Sequence, residues 1–212
     1  HVRSRRQRQM CIRDRYYIVH DGLSTRALIK ELLQAADRGV RVRILLDDTT
    51  SDGEDYQIAL LAAHPNIEIR VFNPLHLGRL NGVTRVIGRG LNLSQQHRRM
   101  HNKLWLADSA AAIVGGRNLG DEYFDAEPNM NFTDIDMLSV GPIARDLAES
   151  FDQYWNSRLS KPIEEFVWRE PSQKDLDKAR KGLRDYLDTA RVEQPELYER
   201  LLAYQHLSLI HI

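Results

Sequence analysis

Between residues 16 and 72 the apolar pattern alternates between short β-rich runs and stretches of helical period, and few folds accept that alternation. Tyr16-Tyr17-Ile18-Val19 is β-rich. Ser24 then stands as an N-cap before Leu28, Ile29, Leu32, Leu33 and Ala36, which share one helical stripe, and Gly39 follows as the residue that ends a helix. Val40 to Leu46 reads as a strand ending in Asp47-Asp48, Glu54 to Ala63 as a helix stopped by His64-Pro65, and Ile67 to Phe72 as a third strand. Strands separated by helices of this length pair in parallel through crossovers, with the ligand crevice at their carboxyl ends. The expected fold class is therefore α/β, a mixed and largely parallel sheet flanked by helices, with His20-Asp21, Asp47-Asp48 and Asn73-Pro74 at the crevice.

The remainder extends this plan. Residues 75 to 100 hold five Arg, two His, four Gly and no acid, a basic loop suited to an anionic substrate or a lipid surface. Lys103 to Ala107 and Ala111 to Val114, joined by Asp108-Ser109-Ala110, read as a β-hairpin. Ile135 to Val140 is a further strand, and Pro142 opens a helix through Trp155. Beyond Lys161-Pro162 the chain turns charged. Ser172 and Asp175 form a capping-box pattern, and Leu176, Ala179, Leu183, Tyr186, Leu187 and Ala190 lie on one stripe of a C-terminal helical arm.

Charge and composition set boundaries. Residues 1 to 15 carry six Arg against Asp14, so a chain of zero net charge divides into a +5 head and a −5 remainder. No apolar period runs through this head. Met10 to Asp14 and Leu207 to Ile212 resemble translated sequencing-adapter reads, so 1–15 and 207–212 are expected to be extraneous or disordered, flanking a domain at 16–160 and the arm at 161–206. The longest apolar runs fall far short of the ~20 residues that cross a bilayer. A lone Cys11 leaves no internal disulfide and no cysteine-rich metal site.

Residues 101 to 118 carry the chemistry. They fit H-x-K-x-x-x-x-D-x-x-x-x-x-x-G-G-x-N at His101, Lys103, Asp108, Gly115, Gly116 and Asn118. Residues two apart on a strand face the same way, so a nucleophile and a cation share one pocket. Gly115-Gly116 leaves room for phosphate to approach the backbone, and the Asn118 amide can donate to a phosphoryl oxygen. Asp108 completes the pattern, but at a hairpin turn five residues from Lys103 a turn-stabilising or salt-bridging role suits it better.

This stretch resembles the HKD motif of the phospholipase D superfamily. Its continuation Gly115-Gly116-Arg117-Asn118-Leu119-Gly120-Asp121-Glu122-Tyr123-Phe124 is similar to the first motif of bacterial cardiolipin synthases, in particular the short forms without N-terminal membrane spans. Tyr16-Tyr17-Ile18, Ala35 to Val40 and Phe151 to Trp155 resemble that subfamily too. The resemblance implies one phospholipase D-like half and phosphatidyl transfer through a phosphohistidine. His101, Lys103, Asp108 and Asn118 would form the catalytic set, Lys103, Gly115, Gly116 and Asn118 would bind phosphate, and Asp121 or Glu122 would orient His101. It implies no metal or other cofactor, phospholipids such as phosphatidylglycerol as partners rather than nucleic acid, and a bacterial location in the cytoplasm or peripheral at the inner membrane. No other histidine is followed two residues later by lysine, so the chain is expected to hold the first motif of two and to need a second half in cis. The alternative is a single-motif nuclease of the same superfamily acting as a homodimer.

Overall fold

A computed structural model describes residues 10–17, 19–48, 55–74 and 99–207. The basic stretch at 75–98 and the tail beyond Leu207 lie outside the described residues. The framework is one seven-stranded sheet. Its strands are β1 (Cys11–Tyr16), β2 (Arg41–Asp47), β3 (Ile67–Phe72), β4 (Lys103–Ala107), β5 (Ala111–Gly115), β6 (Asp136–Val140) and β7 (Ser160–Pro162), in the spatial order β6-β5-β4-β1-β2-β3-β7. Helices α1 (Leu23–Asp37), α2 (Asp55–Ala62) and α3 (Pro142–Trp155) flank it, and α4 (Gln173–Glu193) and α5 (Pro195–Leu207) form the C-terminal arm.

The mixed α/β sheet and the helical arm are as expected, but its parallel share is smaller. Only β1 with β2 and β2 with β3 run parallel, whereas the β1–β4, β3–β7, β4–β5 and β5–β6 pairs are antiparallel. The reason is local. After β3 the crossover pattern ends: β4 and β5 are joined by the short turn 108–110, which can join only antiparallel strands, and β6 adds to β5 as a further antiparallel strand.

A second correction concerns the head. Residues 11–15 are not extraneous: they form β1, the middle strand, paired with β2 on one side and β4 on the other. The run expected to be the strand overlaps β1 at Tyr16 alone, and Val19 makes a single bridge to Leu119. The head lacks apolar periodicity because β1 buries charge as well as Ile12, and its neighbours answer that charge one group at a time. Arg15 donates through Nε to the Asn102 carbonyl at 3.1 Å and lies 4.8 Å over the Tyr154 ring. Arg13 lies 3.4 Å from Asp152 and donates to Ser109 Oγ. The aromatic end of α3 serves two further strands, since Arg43 and Arg70 lie 5.5 and 4.7 Å from the Trp155 ring centre.

Two cores sandwich the sheet. On the α1 side Ile12, Val42, Ile44, Ile69, Val71 and Trp105 pack under Leu32, Leu33 and Ala36. On the α3 side Leu45, Phe72, Leu104, Leu106 and Ala112 pack under Ala144, Ala148, Phe151 and Trp155. The arm has a partner within the chain. Leu187, Ala190 and Leu201 close over Leu23, Arg180 grips Asp37 with two bonds of 2.7 and 2.8 Å, and Arg26 lies 3.9 Å over the Tyr186 ring. The capping box at its start is present, Ser172 and Asp175 each bonding the other's backbone.

Asp14 is the costliest member of β1. It is fully buried, and Tyr16 donates to its carboxyl group while Oδ1 has no partner among the described residues. Burial pushes its pKa from 3.8 up to about 8. The native state then keeps a proton that the unfolded chain has released, so stability falls as pH rises between these two values and is flat on either side. The melting temperature is expected to fall from pH 5 to pH 8 by more in the wild type than in Asp14→Asn. Equal slopes in calorimetry would show that Asp14 ionises alike in both states.

Candidate active site

The site is built where β4 begins. Because β4 runs antiparallel to β1, with Leu104 beside Arg15, its first residues lie at the carboxyl edge shared by β1, β2 and β3. The chain is fixed there before the motif starts. Met100 N–H donates to Asp47 Oδ2 at 2.8 Å, Arg99 lies 3.3 Å from Asp47 Oδ1, and the Met100 side chain is buried in the α3-side core. Asp47, at the crevice end of β2, therefore holds the strand that carries the site.

His101 is exposed and its ring packs against Tyr17, centroids 4.8 Å apart. Lys103 is buried, with Nζ 3.1 Å from His101 Nε2, 3.3 Å from Nδ1 and 5.5 Å from the Tyr17 ring centre. Burial lowers the Lys103 pKa, and the Asp134 carboxylate opposes that shift. Asn118 is buried too, and its Nδ2 donates to the Tyr123 hydroxyl at 2.9 Å. Lys103 and Asn118 line one cavity of about 330 Å³ between α1, the β4–β5 hairpin and α5. Two buried donors thus face the same space, with an imidazole against one of them.

The remaining expected residues are placed elsewhere. Asp108 sits at the far end of β4 with a φ of 54°, where its Oδ1 accepts from Cys11 N–H at 2.7 Å. The length of β4 separates it from Lys103, so the structure gives it the turn-stabilising role and not a catalytic one. Gly115 lies in register with Lys103. The space that a side chain would fill at Gly115 and Gly116 is taken by the carboxylates of Asp136 and Asp134, the place expected for phosphate. Arg117 in turn pairs with Asp136 at 2.7 Å and donates to the Tyr123 carbonyl.

Asp121 and Glu122 do not turn toward His101. Asp121 accepts from Leu23 N–H at 2.9 Å, from Ser24 N–H at 2.8 Å and from the Ser24 hydroxyl, while Glu122 lies 2.6 Å from His20 Nδ1. Ser24 is thus inside α1 rather than its cap. The N-cap position belongs to Gly22, whose missing side chain admits the Asp121 carboxyl group. Ser24 looks in sequence like a cap for this helix, so nothing local points to Asp121. Tyr17, Tyr123, Asp134 and Asp136 were not foreseen either.

Chemically the arrangement offers an exposed imidazole with an ammonium beside it and, in the same cavity as the ammonium, an amide donor, the two donors suited to a tetrahedral oxyanion. Among the described residues no group of three His, Cys, Asp or Glu side chains could hold a metal ion.

Comparison with known proteins finds relatives of this chain. The family model described as "Cardiolipin synthase, PLD-like domain" matches residues 9–155. Cardiolipin synthase C of Escherichia coli (strain K12) is 43% identical over 152 residues, 72% of this chain and 31% of that protein. An uncharacterized protein of Helicobacter pylori (strain ATCC 700392 / 26695) is 44% identical over 158 residues, 74% of this chain and 31% of that protein. Cardiolipin synthase A of Pseudomonas entomophila (strain L48) is 30% identical over 152 residues, 70% of this chain and 29% of that protein. The chain spans about a third of the length of these relatives.

The capping arrangement is open to direct measurement. Asp121→Ala removes the acceptor for the first N–H groups of α1, and urea unfolding is expected to show a loss of about 1–2 kcal/mol. A loss below about 0.3 kcal/mol would contradict the role assigned to Asp121.

Proposed function

The chain belongs to the cardiolipin synthase, phospholipase D-like domain family, and on that premise we propose that it is one catalytic half of a phosphatidyltransferase that exchanges phosphodiesters between phospholipids. The observation that carries the reading is that Lys103 Nζ lies 3.1 Å from His101 Nε2 and shares a cavity with Asn118, at one end of β4 and β5. A ring nitrogen of His101 attacks phosphorus, and the bond from phosphorus to the leaving glycerol oxygen breaks. That alkoxide takes its proton from a second imidazole outside this chain, leaving a phosphohistidine. A glycerol hydroxyl of a second lipid then attacks phosphorus, gives its proton to the second imidazole and releases His101. Lys103 and Asn118 hold the non-bridging oxygens throughout. Tyr17 fixes the ring plane of His101 and Tyr123 fixes the Asn118 amide.

The second imidazole belongs to a further half in cis, a reading supported by the single H-x-K motif and by relatives of whose length this chain spans about a third. One side of the half-site is suited to such a neighbour, because the edge strand β6 and its surroundings expose Ile135, Met137, Leu138, Val140 and Ile143, an apolar patch of the kind that another domain covers. The substrates are phospholipids such as phosphatidylglycerol, met at a membrane surface. No described helix is long and apolar enough to cross a membrane. The protein works in a bacterium, peripheral at the inner membrane or in the cytoplasm.

General acid catalysis of this kind is worth ~100 to 10,000-fold, so the chain alone is expected to be nearly inert toward phosphatidylglycerol vesicles. Joined to its downstream half it is expected to make cardiolipin, seen by lipid extraction and thin-layer chromatography, and His101→Ala is expected to abolish the product. Cardiolipin formed by the monomeric chain would overturn the two-half reading. Degradation of DNA by a dimer would replace it with the nuclease reading.

A further inference from the structure

Each buried donor of the cavity wall also bonds a ring that stands outside the cavity. Lys103 Nζ lies 3.1 Å from His101 Nε2, and Asn118 Nδ2 donates to the Tyr123 hydroxyl at 2.9 Å. Lys103 and Asn118 line the space between α1 and the hairpin, whereas His101 and Tyr123 do not. The imidazole and the phenol are therefore the outer members of one polar row, with the two clamp residues between them.

A phenol has one hydrogen to donate and lone pairs with which to accept. Asn118 uses the accepting side of Tyr123, so the phenolic hydrogen turns elsewhere, and it meets no acceptor among the described residues. Tyr16 has the opposite arrangement, its hydroxyl being spent on Asp14. An N–H donated into a hydroxyl oxygen also polarises the O–H bond and makes it a better donor. The Tyr123 hydroxyl is held in place from several sides. Tyr123 ends the short 3-10 helix Asp121–Tyr123, which is closed by the Tyr123 N–H on the Gly120 carbonyl at 3.0 Å and tied to α1 through Asp121. Arg117 donates to the Tyr123 carbonyl, and Phe132 packs on its ring with centroids 5.2 Å apart.

We infer that the Tyr123 hydroxyl is a third donor to the phosphoryl group, giving its hydrogen to a non-bridging oxygen beside those held by Lys103 and Asn118. The inference rests on the phosphatidyltransferase reading and adds a residue to the clamp of this half. Charge develops on the non-bridging oxygens as phosphorus changes partners, and a donor fixed there beforehand stabilises it without reorganisation. This is more than holding Asn118 in place. A phenol that only positions the amide needs its oxygen, whereas one that binds the phosphoryl group needs its hydrogen.

Dimethyl phosphate, a phosphodiester monoanion, tests this when it is titrated into the intact chain and followed by nuclear magnetic resonance of the backbone amides. Tyr123→Phe is expected to weaken binding about tenfold or more, the worth of a hydrogen bond to a charged acceptor. That variant removes oxygen and hydrogen together, so monofluorinated and difluorinated tyrosine are also placed at position 123 and titrated below the pH at which either phenol ionises. Fluorine on the ring makes the hydroxyl a stronger donor and a weaker acceptor. Binding is therefore expected to tighten from tyrosine to the monofluorinated to the difluorinated ring. Each variant's cooperative melt is measured first, and the nearly isosteric fluorinated rings carry the test if Tyr123→Phe does not fold. Binding that weakens or stays level along the fluorinated rings overturns the inference and leaves Tyr123 as a positioning residue for Asn118. A folded Tyr123→Phe that binds as tightly as the wild type overturns it too, and loss of binding on Lys103→Met in the same experiment leaves the proposed function standing. A wild-type chain that binds no dimethyl phosphate at all overturns both.

Discussion

The antiparallel seating of β4 on β1 is the constraint on which the site depends. Its register puts Leu104 beside Arg15, and the hairpin register then puts Gly115 opposite Lys103. Shifting β4 by one residue would turn Lys103 to the α3 side and Leu104 to the cavity, because successive side chains face opposite sides of a strand. Asp47 guards against that slip. Its buried carboxylate takes the Met100 N–H and faces Arg99, so the chain enters β4 at one height only. The same bond places the motif at the carboxyl edge, where parallel strands leave their crevice.

Around that seating, charge is distributed unusually for a domain core. The middle strand carries Arg13, Asp14 and Arg15, and two of these three are almost wholly buried. The arginines are tolerated because α3 ends in Tyr154 and Trp155, whose ring faces take Arg15, Arg43 and Arg70, and because Asp152 stands near both Arg13 and Arg43. Asp14 has no cation beside it among the described residues, and burial raises its pKa to about 8. The helix α3 therefore serves the site indirectly, by making the charged strand beside β4 tenable. On the other face, Asp121 ties the segment after Asn118 to the first turn of α1, so the helix wall and the donor wall of the cavity are joined by hydrogen bonds.

How much of this could be read beforehand depended on how local each cause was. The β3 strand, the hairpin, α3 with Pro142 at its start and the Ser172–Asp175 box all follow from patterns a few residues long, and they lie where those patterns put them. The closeness of His101 and Lys103 was legible for the same reason, being a consequence of period two. The strand β1 was not, because its stability comes from residues 30 or more positions away, such as Arg41, Asn102 and Asp108, and not from its own alternation. The acids were misread in one direction. Asp108, Asp121 and Glu122 stand near the motif in sequence, yet each is used by a neighbour that folding brings in: Cys11, the α1 terminus and His20. Glycine told only that space was needed at 115 and 116, and Asp136 and Asp134 occupy it.

The central claim is that three side chains from the β4–β5 hairpin act as one phosphate-binding unit. Side-chain nuclear magnetic resonance tests it most directly, following the His101 ring, the Lys103 ammonium and the Asn118 amide while inorganic phosphate is added. The account predicts that the three signals shift together along a single saturation curve, and that Lys103→Met flattens the response of the other two. Shifts at His101 alone, or three curves with unrelated midpoints, would contradict it.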